Sequence, residues 1–154
     1  MGKGFDFWGR DRGVTMIAPA EIIHQKQPCK HSCFSACIAM LIGEPVKKVI
    51  SDMMKIGLGP PLLESEGMAK LVQNNILPVR RSAVIGSVME SGRLYLVTVL
   101  NDPGRLHSVL MVNLDGVFNI FDPNECKMTQ NVEKYLNRII FLEALYDCES
   151  GVSR

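Results

Sequence analysis

The pattern of apolar and polar residues divides the chain into a helical first half and a strand-rich second half. Apolar or small residues fill Phe34–Ile42 almost without interruption, and a helix that is apolar on every side is typical of a buried helix. Ser32 is a suitable N-cap residue, and Gly43 followed by Pro45 is a common way for a helix to end. We therefore predict a buried helix that carries Cys33 in its first turn.

Two more helices are predicted in the first half. Apolar residues recur at helical spacing from Glu44 to Met54, with Pro45 at the permissive first position. Glycines and the Pro60-Pro61 pair then form a loop. A third helix is expected to begin at Ser65-Glu66 and to end at Asn74-Asn75.

From Ile76 onward the spacing of apolar residues becomes typical of strands. The expected strands are rich in β-branched and other apolar residues, and they are Ile76–Val79, Leu94–Leu100, His107–Asn113, Val117–Asp122 and Ile139–Leu145. Asp115-Gly116 is predicted to be a two-residue hairpin turn, and helical turns are expected at Gly86–Glu90 and Val132–Arg138. Helices followed by antiparallel strands predict an α+β fold.

The length of 154 residues predicts one domain with a real core. We expect an N-terminal arm over residues 1–20 that ends in an edge strand, a globular domain over residues 21–147, and a frayed tail over residues 148–154. Trp8 and Phe7 in the arm are expected to pack on the body or on a partner.

Charge and composition exclude several classes of protein. The net charge is +1, with 47% hydrophobic and 21% charged residues, and there is no basic stripe of the kind that binds nucleic acid. No apolar run reaches the ~20 residues of a membrane helix, and the N-terminus has no signal-peptide core. The sequence therefore predicts a cytoplasmic protein that binds neither nucleic acid nor membrane.

The five cysteines are expected to be reduced thiols, because an odd number without a secretion signal argues against a disulfide framework. Cys29, His31, Cys33 and Cys37 are close in sequence, but their spacing does not match a zinc knuckle and no second cluster follows. The absence of a Cys-x-x-Cys motif also disfavours a thiol oxidoreductase. We predict that the protein uses no metal and no cofactor.

Cys33 is the first candidate for chemistry. At the start of a helix, a thiol faces unpaired backbone N–H groups and the positive end of the helix dipole, which favour the thiolate. Gln27 shortly before it suggests a side-chain donor for an oxyanion. The alternative is that Cys33 is a small apolar core residue, since free cysteines are often buried.

The predicted hairpin supplies the second candidate. If Asp115-Gly116 is a two-residue turn, Leu114 pairs with Val117 and Val109 lies opposite Asp122. His107 then lies on the same face as Asp122, as a diagonal neighbour at ~7–8 Å between Cα atoms. A histidine beside an aspartate is the base and orienting acid that a thiol nucleophile requires. The alternative is that both residues cap strand ends.

The order glutamine, cysteine, histidine, aspartate is that of papain-like enzymes. Within it, Gln27–Met40 resembles the start of the double-glycine leader peptidases, the bacteriocin-processing cysteine peptidases, and of their free-standing relatives. The similar residues are Gln27, Cys33 and the Ala36-Cys-Ile-Ala-Met40 segment, and later His107 and Asp122-Pro123. The resemblance extends from about Ile22 to Leu145.

This resemblance implies a papain-like fold in which a buried nucleophile helix packs on a C-terminal antiparallel sheet. It implies a Cys33, His107 and Asp122 triad with Gln27 as oxyanion donor, acting on a peptide or protein substrate. Two positions depart from the family, which has aspartate in place of Ser32 and glycine in place of Phe34. No exporter domain follows, so cleavage coupled to export is not implied.

The predicted function is therefore that of a cysteine hydrolase that cleaves an amide bond. Two alternatives stay open at this point. The same triad serves a protein glutamine deamidase or transferase. The bulk of Phe34 beside the thiol and the aromatic N-terminal arm suggest instead a binding or assembly protein that kept the fold without turnover.

Overall fold

A computed structural model describes residues 3–5, 11–14, 16–59, 64–77, 79–83, 89–101 and 104–147. Its helices are α1 (Cys33–Ile42), α2 (Val46–Lys55), α3 (Glu64–Gln73) and α4 (Glu133–Leu136), with a 3-10 turn at Pro19–Glu21. Its strands are β1 (Lys3–Phe5), β2 (Asp11–Val14), β3 (Val79–Ala83), β4 (Leu94–Asn101), β5 (Arg105–Leu114), β6 (Val117–Phe121) and β7 (Ile139–Asp147). The predicted α+β class is confirmed.

Helix α1 forms where the continuous apolar run predicts it, and all its residues after Cys33 are buried. Gly43 ends it in the left-handed conformation, with φ of 70°, and donates its N–H to the carbonyl of Ala39. A Cβ at Gly43 would lie 2.8 Å from Cδ1 of Ile17. The left-handed backbone conformation therefore favours glycine at this helix end, and any larger residue would also displace the Ile17 side chain.

Ser32 occupies the N-cap position, but its side chain does not cap the helix. Its Oγ donates to the Cys29 carbonyl at 2.9 Å and accepts from the Cys29 N–H at 3.2 Å. The hydroxyl therefore closes the preceding loop, and the predicted capping role of Ser32 is wrong. The reason is local competition, since a serine side chain bonds to nearby backbone groups in turns as readily as to a helix end.

Helices α2 and α3 cover α1 and form one core with it. Pro45 is the N-cap of α2 and not its first residue, a difference of one position that is common at helix ends. Val49 and Met53 of α2 and Met68 and Leu71 of α3 are fully buried in the core on the helix side of the sheet. We call this the helix-side core.

The main sheet has five strands in the order β3-β7-β4-β5-β6, and every neighbouring pair is antiparallel. Alternate residues of β4 and β5 enter different cores. Leu96 and Leu110 pack in the helix-side core, whereas Val97 and Val109 pack in a second core on the opposite face, which includes Tyr135 of α4. Burial on both faces explains why these strands read as continuous apolar runs.

The predicted strand Ile76–Val79 is wrong. Asn75 adopts a left-handed conformation with φ of 58°, and the N–H groups of Ile76 and Leu77 bond back to the Leu71 carbonyl at 2.9 and 3.2 Å. These two apolar residues therefore close the end of α3 and pack under it, as residues after a helix C-terminus commonly do. Strand β3 begins only at Val79.

Several other expectations concern the edges of the described ranges. The arm contains a separate two-stranded antiparallel sheet, β1 with β2, and β2 ends at Val14. Trp8, Phe7, the tail after residue 147 and most of the expected helical turn Gly86–Glu90 lie outside the described residues. Met89 and Glu90, which are described, are not helical. In the described part of the chain, no helix has the length and apolarity needed to cross a bilayer.

Candidate active site

The hairpin of β5 and β6 has the predicted register. Asp115 and Gly116 have φ of 54° and 90°, as the central residues of a type I′ turn require. Leu114 pairs with Val117 and Leu110 pairs with Phe121. One further step along this register brings Val109 opposite Asp122, just beyond the end of β6, so that His107 and Asp122 meet on the face that carries the second core.

His107 and Asp122 form a direct contact. Nε2 of His107 lies 2.6 Å from Oδ1 of Asp122, and both residues are only 5% exposed. Oδ1 also accepts the N–H of Asn124 at 2.9 Å, and Oδ2 accepts the hydroxyl of Tyr135 at 2.8 Å. Burial raises the pKa of Asp122, but these bonds and the charge of His107 outweigh it and hold the pKa below its ordinary value.

Cys33 lies within hydrogen-bonding reach of His107. Burial lowers the pKa of His107, but its hydrogen bonds and charge interactions with Asp122 and Cys33 outweigh this and raise the pKa to about 9. Burial raises the pKa of the half-buried Cys33 thiol, but His107 and Ser108 outweigh this and hold the pKa below its ordinary value. Both shifts favour a thiolate beside an imidazolium at neutral pH.

The sheet leaves an open edge for the thiol. The β5–β6 ladder ends at Leu110 and Phe121, and the start of α1 packs against β5 beyond that point. In a two-residue hairpin, every second residue of a strand points its N–H at its partner strand. Counted from Leu114, Ser108 is such a residue, and its N–H and hydroxyl both stabilise the Cys33 thiolate.

Gln27 lies in a loop that is attached to the end of β6. Its N–H donates to the Pro123 carbonyl at 2.8 Å, and Nζ of Lys26 donates to the Asn124 carbonyl at 2.8 Å. Nε2 of His24 also lies 2.8 Å from the carbonyl oxygen of Glu125. These bonds join the residues before α1 to those that follow Asp122, and they hold Gln27 near the triad.

The side-chain amide of Gln27 is 8% exposed and is oriented by one bond, from Nε2 to the Cys29 carbonyl at 2.7 Å. Its Oε1 is buried and has no hydrogen-bond partner among the described residues. A primary amide carries two N–H donors, and one of them is used within this loop. The role of Gln27 as an oxyanion donor stays a prediction.

The other histidines, and the neighbouring cysteines Cys29 and Cys37, are not part of the triad. His24 stacks on Phe121 with ring centroids 6.3 Å apart, His31 is exposed, and Cys37 is fully buried in the helix-side core. Cys29 is exposed, and its hydrogen bonds to Ser32 and to the backbone of His31 lower its pKa. In the described ranges, no three histidine, cysteine or acidic residues come together as metal ligands.

Three residues contribute to the site in ways that were not predicted, namely Ser108 with its hydroxyl and N–H, Asn124 with its N–H and Tyr135 with its hydroxyl. Ser108 and Asn124 lie within two residues of His107 and Asp122, so the hairpin register carried a signal for them. Tyr135 follows Asp122 by 13 positions across a loop and the start of α4, and no spacing rule connects the two.

No protein-family model matches the chain, and a search of curated proteins also finds no match. The chemistry of the candidate site therefore has to follow from its own residues and their geometry.

Proposed function

We propose that the protein is a papain-like cysteine hydrolase that cleaves an amide bond in a peptide or protein. The observation that supports this proposal best is the 2.6 Å contact between His107 and Asp122, made by a histidine whose interaction with Cys33 lowers the pKa of the thiol. A nucleophile, a base and an orienting acid in this order are the parts that amide hydrolysis by a thiol requires. The papain-like fold is part of the same proposal, since α1 meets the edge of an antiparallel sheet at the thiol.

The first step is proton transfer within the pair. Because Nε2 of His107 is bonded to Asp122, Nδ1 is the nitrogen that faces Cys33 and takes its proton. Asp122 holds the ring in this orientation and stabilises its positive charge. The resulting thiolate then attacks the carbonyl carbon of the substrate amide.

The attack places negative charge on the carbonyl oxygen. The second N–H of the Gln27 amide and the backbone N–H of Cys33 at the start of α1 stabilise this oxyanion. The His107 imidazolium donates its proton to the departing amine, and a thioester remains on Cys33. Water, deprotonated by His107, hydrolyses the thioester and restores the thiol.

The two departures from the leader peptidases do not obstruct this chemistry. Phe34 is 4% exposed and packs in the helix-side core, so its bulk fills the core beneath α1. Ser32 is buried and holds the loop that contains Cys29. The location of Phe34 therefore favours turnover over a binding protein that lost it, while the aromatic residues of the arm lie outside the described residues.

The proposal is tested in two stages. A limiting amount of iodoacetamide at pH 6, followed by mass spectrometry, should label Cys33 selectively in the parent protein. Cys29→Ala is the matched control, because Cys29 is an exposed thiol that also has a lowered pKa, and its removal should leave the labelling of Cys33 unchanged. Slow, equal labelling of every thiol would contradict the proposed pair.

The second stage is incubation with a fluorogenic peptide library, with parallel measurement of released ammonia. We expect peptide cleavage by the parent and none by Cys33→Ala. Ammonia release without cleavage would instead identify a glutamine deamidase, and the absence of both products would contradict the hydrolase proposal.

A further inference from the structure

Tyr135 is an unusual residue to find at the centre of a short exposed helix. Helix α4 has four residues, of which Leu136 is 46% exposed and Tyr135 is fully buried. An apolar side chain thus faces solvent, while one that carries a hydroxyl is placed in the core. A buried tyrosine hydroxyl requires a hydrogen-bond partner, and here the partner is Oδ2 of Asp122 at 2.8 Å.

The tyrosine is held on several sides. Its ring packs in the second core, and the side chains of Lys134 and Arg138 lie over it at 5.6 and 5.2 Å from the ring centroid. Its carbonyl accepts the Arg138 N–H at 2.9 Å, and the Arg138 carbonyl accepts the N–H of Leu100 in β4 at 2.8 Å. The position of the hydroxyl is therefore fixed relative to the sheet.

Asp122 needs such an anchor. Rotation of a carboxylate about its last bond is only weakly restricted, and the two donors on Oδ1, from His107 and Asn124, leave Oδ2 without a described partner apart from Tyr135. A second anchored oxygen defines the plane of the carboxylate. Without it, Oδ1 could rotate away from the imidazole.

We propose that Tyr135 is a positioning residue, whose hydroxyl fixes the Asp122 carboxylate so that Oδ1 stays on the N–H of His107 and sustains the thiolate–imidazolium pair. This inference rests on the proposed function, because it assigns Tyr135 to the same triad. It does not require that a substrate be known, since the reactivity of Cys33 reports the state of the pair directly.

The test compares two buried tyrosines. Tyr135→Phe removes the hydroxyl on Asp122, and Tyr95→Phe removes a hydroxyl of the same second core that accepts the N–H of Glu90 at 2.6 Å. The measured quantity is the rate constant for alkylation of Cys33 by iodoacetamide between pH 4.5 and 10. The charged neighbours Glu125, Lys134 and Arg138 are the same in both variants.

In Tyr135→Phe we expect the acid-side inflection of the alkylation profile to move up by about 0.5 to 1 pH unit, so that the rate at pH 6 falls about 3- to 10-fold, as the loss of one charge-assisted hydrogen bond would produce. The rate at pH 10, where the thiol is ionised in either protein, should be unchanged. Tyr95→Phe should superimpose on the parent. If the role of Tyr135 were only structural, Tyr135→Phe and Tyr95→Phe would change the alkylation rate to the same extent, or neither variant would change it.

Two further variants sharpen the result. In an Asp122→Asn background, Tyr135→Phe should cause no additional shift, because the group through which it acts is already altered. Replacing Tyr135 by 4-aminophenylalanine keeps a weaker N–H donor in place and should give a smaller shift than phenylalanine. If Tyr135→Phe does not fold, the shift measured in the 4-aminophenylalanine variant tests the role of the hydroxyl instead.

The inference is overturned by an unchanged inflection in the folded Tyr135 variants, by an equal shift in Tyr95→Phe, or by an undiminished shift in the Asp122→Asn background. Each of these outcomes leaves the Cys33–His107 pair intact. By contrast, a parent protein with no selective Cys33 reactivity would contradict the proposed function itself, so the two failures are distinguishable.

Discussion

The two sides of the candidate site are built differently. On the sheet side, His107 and Asp122 are 5% exposed, and both oxygens of the carboxylate are hydrogen-bonded. On the helix side, Cys33 is half-buried, the loop before it is exposed from residue 28 to residue 31, and Gln27 keeps an unpaired buried oxygen. The proposed base and its acid thus have their hydrogen-bond partners within the fold, whereas the proposed oxyanion side keeps a buried Gln27 oxygen that has no partner among the described residues.

This difference predicts that substitutions on the two sides have separable effects. Under the proposed mechanism, the sheet side controls the ionisation of Cys33, and therefore the reactivity of the thiol towards any electrophile. The helix side would stabilise charge that develops only on the substrate, so it would control amide hydrolysis without controlling simple alkylation.

The largest effect is expected from His107→Ala. Without the imidazole, the thiol returns towards its ordinary pKa of ~8.5, so alkylation of Cys33 at pH 6 should fall about 100-fold. Peptide hydrolysis should fall about 10⁴-fold, because the general base and acid are both lost. His31→Ala is the matched control, since that side chain is exposed and lies outside the triad, and parent-like alkylation in His107→Ala would contradict the pair.

Gln27→Ala should separate the two sides. Loss of one oxyanion donor typically costs about 10²–10³ in hydrolysis rate, but alkylation of Cys33 at pH 6 should stay within about twofold of the parent, because no charged transition-state oxygen forms in that reaction. Equal losses in both reactions would show that Gln27 instead supports the thiolate.

The control for that substitution is Gln25→Ala. Both ends of the Gln25 amide are already bonded within the fold, from Nε2 to the Glu44 carbonyl at 2.7 Å and from the Val46 N–H to Oε1 at 2.9 Å. We expect it to lower the free energy of unfolding by about 1 kcal/mol through the weakened start of α2 and to leave hydrolysis unchanged in folded protein.

The pH dependence of hydrolysis is expected to depend on the residues of the sheet side. Hydrolysis needs the thiolate, so the rate should rise as pH increases through the lowered pKa of Cys33. Hydrolysis also needs the imidazolium as proton donor, so the rate should fall as pH increases through the His107 pKa of about 9. Initial rates from pH 4.5 to 10.5 should give this bell shape. In Gln27→Ala the maximal rate should be lower, but the two inflections of the pH–rate profile should stay at the same pH. A shift of either inflection would contradict the separation between the two sides of the site.

The smallest effect is expected from Ser108→Ala. The hydroxyl is the weakest of the groups that lower the Cys33 pKa, and the backbone N–H remains, so alkylation at pH 6 should fall about two- to threefold. Ser35→Ala is the control, because Ser35 is a buried serine of α1 whose hydroxyl bonds to Sδ of Met53 at 3.5 Å. A drop of the same size in both variants would mean that the effect is not local to the thiol.

The parts of the site that the sequence predicts are those fixed by local rules. Asp115-Gly116 determines the turn, the turn determines the register, and the register brings His107 and Asp122 to one face. The limits of α1 follow in the same way from its apolar run and Gly43. Each of these steps depends on residues that are neighbours in sequence or opposite each other in a hairpin.

The parts that could not be predicted depend on competition between partners. Ile76 and Leu77 have the composition of a strand, but they close α3 because Asn75 allows the chain to turn back. The hydroxyl of Ser32 could either cap α1 or hydrogen-bond within the preceding loop, and it bonds to the backbone of Cys29 in that loop. Tyr135 meets Asp122 only because α4 folds over the second core, and nothing in the spacing of the two residues encodes that contact.

Pro123 has a consequence beyond ending a strand. If the β5–β6 register continued, it would face Ser108, and the two residues would exchange a pair of backbone hydrogen bonds. Proline has no amide hydrogen to donate to the Ser108 carbonyl, and the Pro123 carbonyl instead accepts the N–H of Gln27 at 2.8 Å. The imino acid and the loop before α1 together end the ladder at this point, and under the proposed mechanism this keeps the N–H of Ser108 on the sulfur of Cys33.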